Sequence, residues 1–341
     1  MTRPHAAPSA APGNPAPPAA RRPAVLVGAV VGLIVAFVVL LAVTDGPSAS
    51  AVLHAPQAVV LGAVEGITEF LPVSSTGHLV VTERLFGLGG SAKSLETLDS
   101  YAVIIQGGAI LAVLVLFWQR LLGAALALGG MLRLPGFRRN TDPGGRRVAT
   151  AILVAAAPAG LIGFAAGDSV KNHLFSPGPI AAAWAVGGLA LLAVSGWLRR
   201  RGEAGGNGGF SLDQLTWRHA LVIGVAQSLA LWPGVSRSLV TIVAGCLVGM
   251  TLAAAVEFSF LVGFVVLLAA TGLELVKHGS DIIDAYGWAN PILGLVVAFV
   301  CAVVAIRWML RIISGRSLAG FGWYRLGAAA LTFGLLAAGH I

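Results

Sequence analysis

The sequence predicts an all-α integral membrane protein: an inverted-topology repeat with about seven transmembrane helices and two re-entrant helix–loop–helix hairpins. Composition, loop charge and an internal repeat are the three reasons. Of 341 residues, 57% are hydrophobic and 11% are charged, whereas an ordinary soluble domain carries about a quarter of its residues as charges. So few polar groups cannot cover a water-soluble globule of this size.

The N-terminal part of the chain precedes the membrane domain. Residues 1–22 form a Pro/Ala-rich tail with almost nothing to bury, and we expect this tail to be disordered. Residues 23–56 hold an extra N-terminal transmembrane helix, at 24–43, and an outer loop. Arg21 and Arg22 before the apolar run are also typical of a signal peptide, but a run of about 20 residues favours an uncleaved helix.

The membrane domain is predicted over 57–341, with repeat 1 at 57–197, a cytoplasmic linker at 198–218 and repeat 2 at 219–340. Its spanning helices are expected at 101–118, 149–166, 179–197, 254–275, 291–306 and 321–339. Two other apolar segments, 57–86 and 219–250, are interrupted by proline and polar residues. Such backbone persists at membrane depth only where protein or a water-filled cavity satisfies it. Both segments are therefore predicted to be re-entrant hairpins.

Loop charges support this arrangement and orient it. With a cytoplasmic N-terminus, the cytoplasmic loops hold most of the arginines: Arg120, Arg133, Arg138, Arg139, Arg146, Arg147, Arg199, Arg200, Arg201, Arg218, Arg307, Arg311 and Arg316. Such enrichment is typical of the cytoplasmic side. The net charge of +8 is then explained by topology, so no nucleic-acid partner is predicted. We expect a multi-pass protein of the plasma membrane with the lipid bilayer as its surroundings.

An internal repeat relates the two hairpins. A shift of 162 residues places 58–65 on 220–227 without a gap, and it aligns Ser74 with Ser236. Each hairpin is followed by three predicted spans. An odd number of spans between them makes the hairpins enter from opposite faces, as in inverted-topology repeats.

The first hairpin carries two acids and a polar loop. Glu65 and Glu69 are four residues apart and share one helix face. In an apolar segment two such carboxylates share a proton, bind a cation or face water; exposed acids beside a loop are the simpler alternative. After Pro72, the hydroxyls and free N–H groups at the next helix start can bind an anion. These residues are Ser74, Ser75, Thr76, Gly77 and His78.

Three roles are open to His78: general base, nucleophile or passive hydrogen-bond donor.

The second hairpin adds Arg237 between Ser236 and Ser238, with Thr241 one turn later. A guanidinium flanked by hydroxyls at a helix start suits a phosphate, which it can hold through two oxygens. Its partner is either a glutamate of the first hairpin or a bound phosphate. Together these groups are what phosphoryl transfer requires.

At these residues the chain resembles the undecaprenyl-diphosphate phosphatases of the bacitracin-resistance type. Residues 62–78 match the first signature of that family, and 232–238 with Thr241 match the second. A looser similarity includes 106–113, 257–261 and the pair Tyr324 and Arg325, so the resemblance covers about 57–339. The first signature is long and chemically unusual for a membrane segment.

The resemblance implies hydrolysis of undecaprenyl diphosphate to the monophosphate, with a divalent cation (Mg²⁺ or Ca²⁺) and a site open to the outer face. It assigns catalytic roles to Glu65, Glu69, Ser74, Ser75, His78 and Arg237. Thr76, Gly77, Ser236, Ser238 and Thr241 would bind the substrate, and Glu65 with Glu69 would hold the metal. A homodimer is a further expectation. The alternative is a transporter or flippase for prenyl-phosphate lipids, since inverted repeats with broken helices are a carrier architecture.

Three departures from the family pattern concern the surroundings of the site. Leu239 stands where the family commonly has glycine. Tyr101 and Ala102 occupy positions where the family commonly places Phe-Glu, so this chain either lacks that acid or uses Asp99 in its place. Gly263 and Phe264 follow the 257–261 stretch, where the family tends to have a proline. These departures bear on substrate range and rate rather than on reaction class.

Overall fold

The computed structural model of the protein describes residues 53–88, 92–134, 143–203, 209–313 and 318–341. The predicted tail at 1–22 and the predicted extra helix at 24–43 lie outside these residues. In the described ranges the chain is helical, with a single isolated β-bridge between Phe210 and Met250. This confirms the predicted all-α class.

Eleven α-helices occur in the described ranges. They are α1 (Ala55–Thr68), α2 (Ser75–Leu85), α3 (Ala92–Leu116), α4 (Trp118–Met131), α5 (Pro143–Leu174), α6 (Pro177–Glu203), α7 (Trp217–Gln227), α8 (Arg237–Leu247), α9 (Leu252–Tyr286), α10 (Ala289–Ile313) and α11 (Ala319–Ala337). Two 3₁₀ turns, Leu212–Gln214 and Ser228–Leu231, lie on either side of α7.

Five of these helices are long and apolar enough to cross a bilayer, within the part of the chain that the structure describes. Their spanning parts are Leu98–Leu116, Pro143–Ala165, Pro177–Gly202, Leu252–Lys277 and Ala289–Ile313. The predicted span at 321–339 forms α11, whose 19 residues include the buried Arg325. The segment after 118, which the sequence predicts to be a cytoplasmic loop, also forms a helix, α4, because Leu121, Ala124 and Ala127 give it an apolar face to bury.

Each broken segment forms a short helix, a loop and a second short helix. Both α2 and α8 have 11 residues, a length of about 16 Å that is roughly half the hydrocarbon core of a bilayer. The two helices begin at Ser75 and Arg237 and end at Leu85 and Leu247, which are positions 162 residues apart. This symmetry agrees with the predicted repeat, and the length suits hairpins that do not cross.

Helix packing repeats in the same symmetric way. Gly62 on α1 lies against the backbone of Gly294 on α10, and a Cβ at Gly62 would overlap that backbone. Gly224, its equivalent on α7, lies equally close to the backbone of Ala155 on α5. Small residues let membrane helices approach closely. Each hairpin is thereby held against one long helix, with its loop directed into the protein.

Candidate active site

The loops of the two hairpins meet in the protein interior beside a cavity of about 880 Å³. Ser238 at the start of α8 donates a hydrogen bond of 2.7 Å to the carbonyl oxygen of Leu71 in the first loop. The polar wall of the cavity is formed by Glu69, Ser74, Ser75, Thr76, Ser236 and Arg237. All six are among the predicted site residues, and the structure brings these residues of the two hairpins to one cavity.

The rest of the cavity is largely apolar and elongated. Small residues of α5, including Ala156, Ala159, Gly160 and Gly163, form one side. On α9 the lining runs from Val265 to Lys277, which corresponds to about 18 Å along a helix. A ligand with a polar head group and an apolar tail matches this division of the cavity.

Both loops end in a strained serine. Ser74 has φ 75° and ψ 103°, and Ser236 has φ 79° and ψ 114°. Positive φ is costly for residues with a Cβ, and such strain is typical of functional sites. The Ser236 hydroxyl accepts from the backbone N–H of Leu239 at 3.3 Å, which caps α8. The Ser74 side chain makes no such cap, so its hydroxyl is available to the cavity.

An ion pair joins the two loops. Arg237 Nη2 lies 2.9 Å from Glu69 Oε1, and the two side chains are only 11% and 8% exposed. Arg237 Nη1 donates to the Ser259 carbonyl oxygen at 2.9 Å, and the guanidinium lies 5.2 Å from the centre of the Phe70 ring. Its Nε is buried without a hydrogen-bond partner. Arg237 is therefore held in place by two of its five N–H donors, one on each Nη.

Gly263 makes room for this guanidinium. A Cβ at Gly263 would overlap Nη1 and Cζ of Arg237. The sequence departs from the family pattern at this point, and the structure gives the glycine a definite purpose. The absence of a side chain at position 263 thus sets where the charge of Arg237 lies.

The two acids of the first hairpin differ in their access to the cavity, which Glu69 lines and Glu65 does not. Ser75 donates a short hydrogen bond from its hydroxyl to Glu69 Oε2. Both Glu69 oxygens are therefore engaged, one by Ser75 and the other by Arg237. Glu65 is 2% exposed, does not line the cavity, and has a buried Oε1 without a partner.

His78 lies behind the loop and is engaged through both ring nitrogens. Nδ1 lies 2.7 Å from the Ser74 carbonyl oxygen, which can only accept, so Nδ1 carries a proton and donates it there. Nε2 lies 2.7 Å from the Tyr324 hydroxyl oxygen. The Tyr324 ring also stacks on the imidazole, with centroids 5.6 Å apart. His78 does not line the cavity. Its contacts hold the strained Ser74 backbone.

Three predicted substrate-binding residues also lie behind the cavity wall. Ser238 and Thr241 are fully buried, and Thr241 donates to the Ser259 hydroxyl at 2.7 Å. Gly77 packs under the Trp184 ring, where a Cβ would be only 2.6 Å from a ring carbon. These residues support the loops that carry the cavity-lining groups.

The cavity is also lined by two glutamines that are not among the predicted site residues. Gln227 has a buried Oε1 without a partner, and the 162-residue shift that aligns it with Glu65 was the available signal. Gln106 donates to the Thr271 hydroxyl at 3.2 Å. Near Gln106 the chain departs from the family pattern at Ala102, which supplies no carboxylate. The Glu274 carboxylate on α9 lies close by and accepts a hydrogen bond from the Ser100 hydroxyl at 3.2 Å.

Together, the fold and the site define a polytopic membrane protein with a cavity, lined on one side by polar and charged residues, between two symmetry-related hairpins. The chain belongs to the family described as "Bacitracin resistance protein BacA", which matches residues 58–331.

Curated relatives of the chain have one kind of name. This chain is 43% identical over 280 residues to the "Undecaprenyl-diphosphatase" of Sorangium cellulosum. The aligned region covers 82% of this chain and 85% of the relative. The chain is 39% identical over 284 residues to the protein of the same name from Azotobacter vinelandii, with 83% and 92% covered. An "Undecaprenyl-diphosphatase 2" from Rhodospirillum rubrum is 39% identical over 270 residues, with 79% and 90% covered.

Proposed function

We propose that this protein hydrolyses undecaprenyl diphosphate to undecaprenyl phosphate and inorganic phosphate, which recycles the lipid carrier of cell-wall synthesis and confers bacitracin resistance. One observation carries the proposal. The hairpin loops bring a serine–carboxylate pair, Ser75 with Glu69, and an arginine, Arg237, to one cavity with a long apolar wall. The names of the relatives support the same reaction.

Binding of the substrate follows from the two parts of the cavity. Arg237, Ser74 and Ser236 line the part of the cavity where the diphosphate would lie. Backbone N–H groups at the starts of α2 and α8 add the positive ends of two helix dipoles. The apolar channel along α5 and α9 accommodates the prenyl chain.

The reaction step uses the pair formed by Ser75 and Glu69. The Ser75 oxygen attacks the terminal phosphorus while Glu69 accepts the hydroxyl proton. The new bond joins Oγ to phosphorus, and the bond from that phosphorus to the bridging oxygen breaks, so undecaprenyl phosphate leaves with the bridging oxygen. Water then attacks the phosphoserine, inorganic phosphate departs and Ser75 regains its proton. Arg237 stabilises the charge on the transferred group.

Glu65 and Glu69 are proposed to hold a divalent cation together with the substrate. In the described ranges, no group of three or more His, Cys, Asp or Glu side chains can hold a metal ion. Both Glu69 oxygens are engaged, but Glu65 Oε1 is buried and unpaired. Magnesium is commonly bound by one or two carboxylates plus substrate phosphates, and this donor set fits that pattern. The cation would neutralise charge on the diphosphate.

We propose the plasma membrane as the location, with the site open to the outer face. The cavity lining extends along α9 as far as Lys277, and the loop-charge pattern places that end of α9 outside. A homodimer stays a prediction.

A flippase for prenyl-phosphate lipids is the second candidate. The matched starts of α2 and α8, with their strained serines, favour an inverted repeat, and carriers use inverted repeats with binding sites between broken helices. A carrier would bind the diphosphate in the same cavity without breaking it.

The test is phosphate release by the purified protein in liposomes that contain undecaprenyl diphosphate, with added Mg²⁺ or with excess chelator. We expect release only with the cation, and none from Glu69→Gln, because that variant cannot accept the Ser75 proton. Undiminished release in chelator would remove the metal role. Lipid binding or transbilayer movement without phosphate release would favour the carrier.

A further inference from the structure

Arg325 on α11 is fully buried, with 0% of its surface exposed. Its guanidinium donates four hydrogen bonds, all to backbone carbonyl oxygens. In the described part of the chain, no carboxylate forms an ion pair with it. A buried cation is costly unless its donors are satisfied, so the carbonyl groups are what holds this charge in the interior.

The acceptors belong to both hairpin loops and to a third helix. Nη1 donates to the Pro72 oxygen at 3.3 Å, and Nη2 donates to the Gly234 oxygen at 2.8 Å. Pro72 and Gly234 are 162 residues apart and thus occupy the same position in the two repeats. The other bonds go to Ala183 at 2.9 Å and Trp184 at 3.4 Å on α6. One side chain therefore connects equivalent points of the two loops.

We propose that Arg325 is a positioning residue that fixes the spacing of the two loops without touching substrate. Pro72 precedes Ser75 by three residues, and Gly234 precedes Arg237 by three. A shift of either carbonyl therefore moves the group that attacks or the group that holds the phosphate. The inference rests on the proposed function, because it concerns the same site.

The role requires a guanidinium. Arginine presents its donors in a rigid planar fork, whereas lysine has one nitrogen on a flexible stem. A lysine at this position cannot reach carbonyls on both loops and on α6 at once. The preceding residue, Tyr324, extends the same support through its hydrogen bond to His78. The first half of α11, which carries both residues, thus supports the hairpin loops from behind the cavity wall.

Gly187 on α6 offers a way to displace Arg325 without removing any polar group. A Cβ at Gly187 would overlap Nη2 and approach Cζ of Arg325. Gly196 on the same helix has open space where its Cβ would be. Gly187→Ala and Gly196→Ala therefore add the same methyl group to one helix, and only the first reaches the guanidinium.

The experiment compares wild type, Gly187→Ala, Gly196→Ala and Arg325→Lys. It measures kcat and KM for phosphate release, the thermal midpoint, and hydrogen–deuterium exchange of the loops at 69–76 and 232–238. We expect kcat to fall by about 10- to 100-fold in Gly187→Ala and Arg325→Lys, since small misplacements cost that much. KM should change by less than about threefold, and both loops should exchange faster. Gly196→Ala should match wild type.

Two results would overturn the positioning role. One is an unchanged kcat in both Gly187→Ala and Arg325→Lys with only a lower thermal midpoint, which is the behaviour of a purely structural residue. The other is an equal loss in Gly196→Ala. If wild type releases no phosphate, the proposed function fails. Faster exchange of both loops in the two Arg325-directed variants, but not in Gly196→Ala, would then still support the positioning role.

Discussion

Replacement of Arg237 by lysine separates the charge of this residue from its geometry. In the structure the guanidinium donates to Glu69 and to the Ser259 carbonyl oxygen, and its Nε remains unused in the buried wall. Lysine keeps the positive charge but has one nitrogen. It can stay beside Glu69 or turn toward a phosphate, and it cannot hold two phosphate oxygens at the same time.

The expected magnitude follows from the bonds that are lost. A hydrogen bond to a charged group contributes about 1.5–3 kcal/mol, so one bond lost only in the transition state lowers the rate by about 10- to 150-fold. Removal of an oriented electrostatic donor typically costs about 10²–10³ in kcat. We therefore expect Arg237→Lys to lose about 10²-fold in turnover.

Stability must be measured beside turnover, because Arg237 also pairs with a buried acid. The paired side chains are 11% and 8% exposed, and leaving one partner of a buried pair alone costs about 3–5 kcal/mol. Arg237→Ala should therefore lose stability as well as activity, whereas Arg237→Lys should stay folded in detergent. The assay is phosphate release together with the thermal midpoint for both variants. Near-normal turnover in Arg237→Lys would refute the two-oxygen grip.

Three further predictions test the surroundings of the site and its orientation. Gly263→Ala should lower kcat by about 10-fold or more, because its methyl group overlaps the Arg237 guanidinium. Gly272→Ala on the same helix adds its methyl group to open space and should leave kcat unchanged. The same kcat in both variants would show that the position of Arg237 is not critical. Ser74→Gly should raise the free energy of unfolding by about 1 kcal/mol, because glycine tolerates positive φ, while phosphate release falls with the lost hydroxyl; a less stable variant would argue against strain at Ser74. Single cysteines at positions 140 and 203, in a chain without Cys246 and Cys301, should resist impermeant thiol reagents in intact cells while one at position 172 reacts; the reverse labelling would invert the topology.

Much of the site was accessible from local sequence patterns. Polar and charged residues at membrane depth are few, so Glu69, Ser75 and Arg237 stand out in their apolar segments. The repeat alignment then predicted that the two loops are equivalent, and Ser74 and Ser236 have nearly the same backbone angles in the structure. These inferences depended on short-range pattern and on one internal comparison.

Contacts between segments that are distant in the sequence could not be predicted from these local patterns. His78 stacks on Tyr324, 246 positions away, and nothing in the local sequence of either residue predicts that pairing. Ser238 and Thr241 have the chemistry of substrate ligands, but the packing of α8 against α9 turns them toward Leu71 and Ser259. Arg325 has only carbonyl partners, and backbone acceptors leave no trace in side-chain identity.

Phosphate release and lipid binding by wild type and Ser75→Ala, measured on the same purified preparations, test the central claim most directly. The wild-type protein should convert undecaprenyl diphosphate to the monophosphate with one inorganic phosphate per lipid. Ser75→Ala should bind the lipid with similar affinity and release no phosphate above background, because Arg237 and the apolar channel remain while the hydroxyl that attacks phosphorus is gone. Thr82→Ala on the same helix, whose hydroxyl donates to the His78 carbonyl oxygen, should keep wild-type turnover. Turnover by Ser75→Ala close to that of wild type would contradict the account.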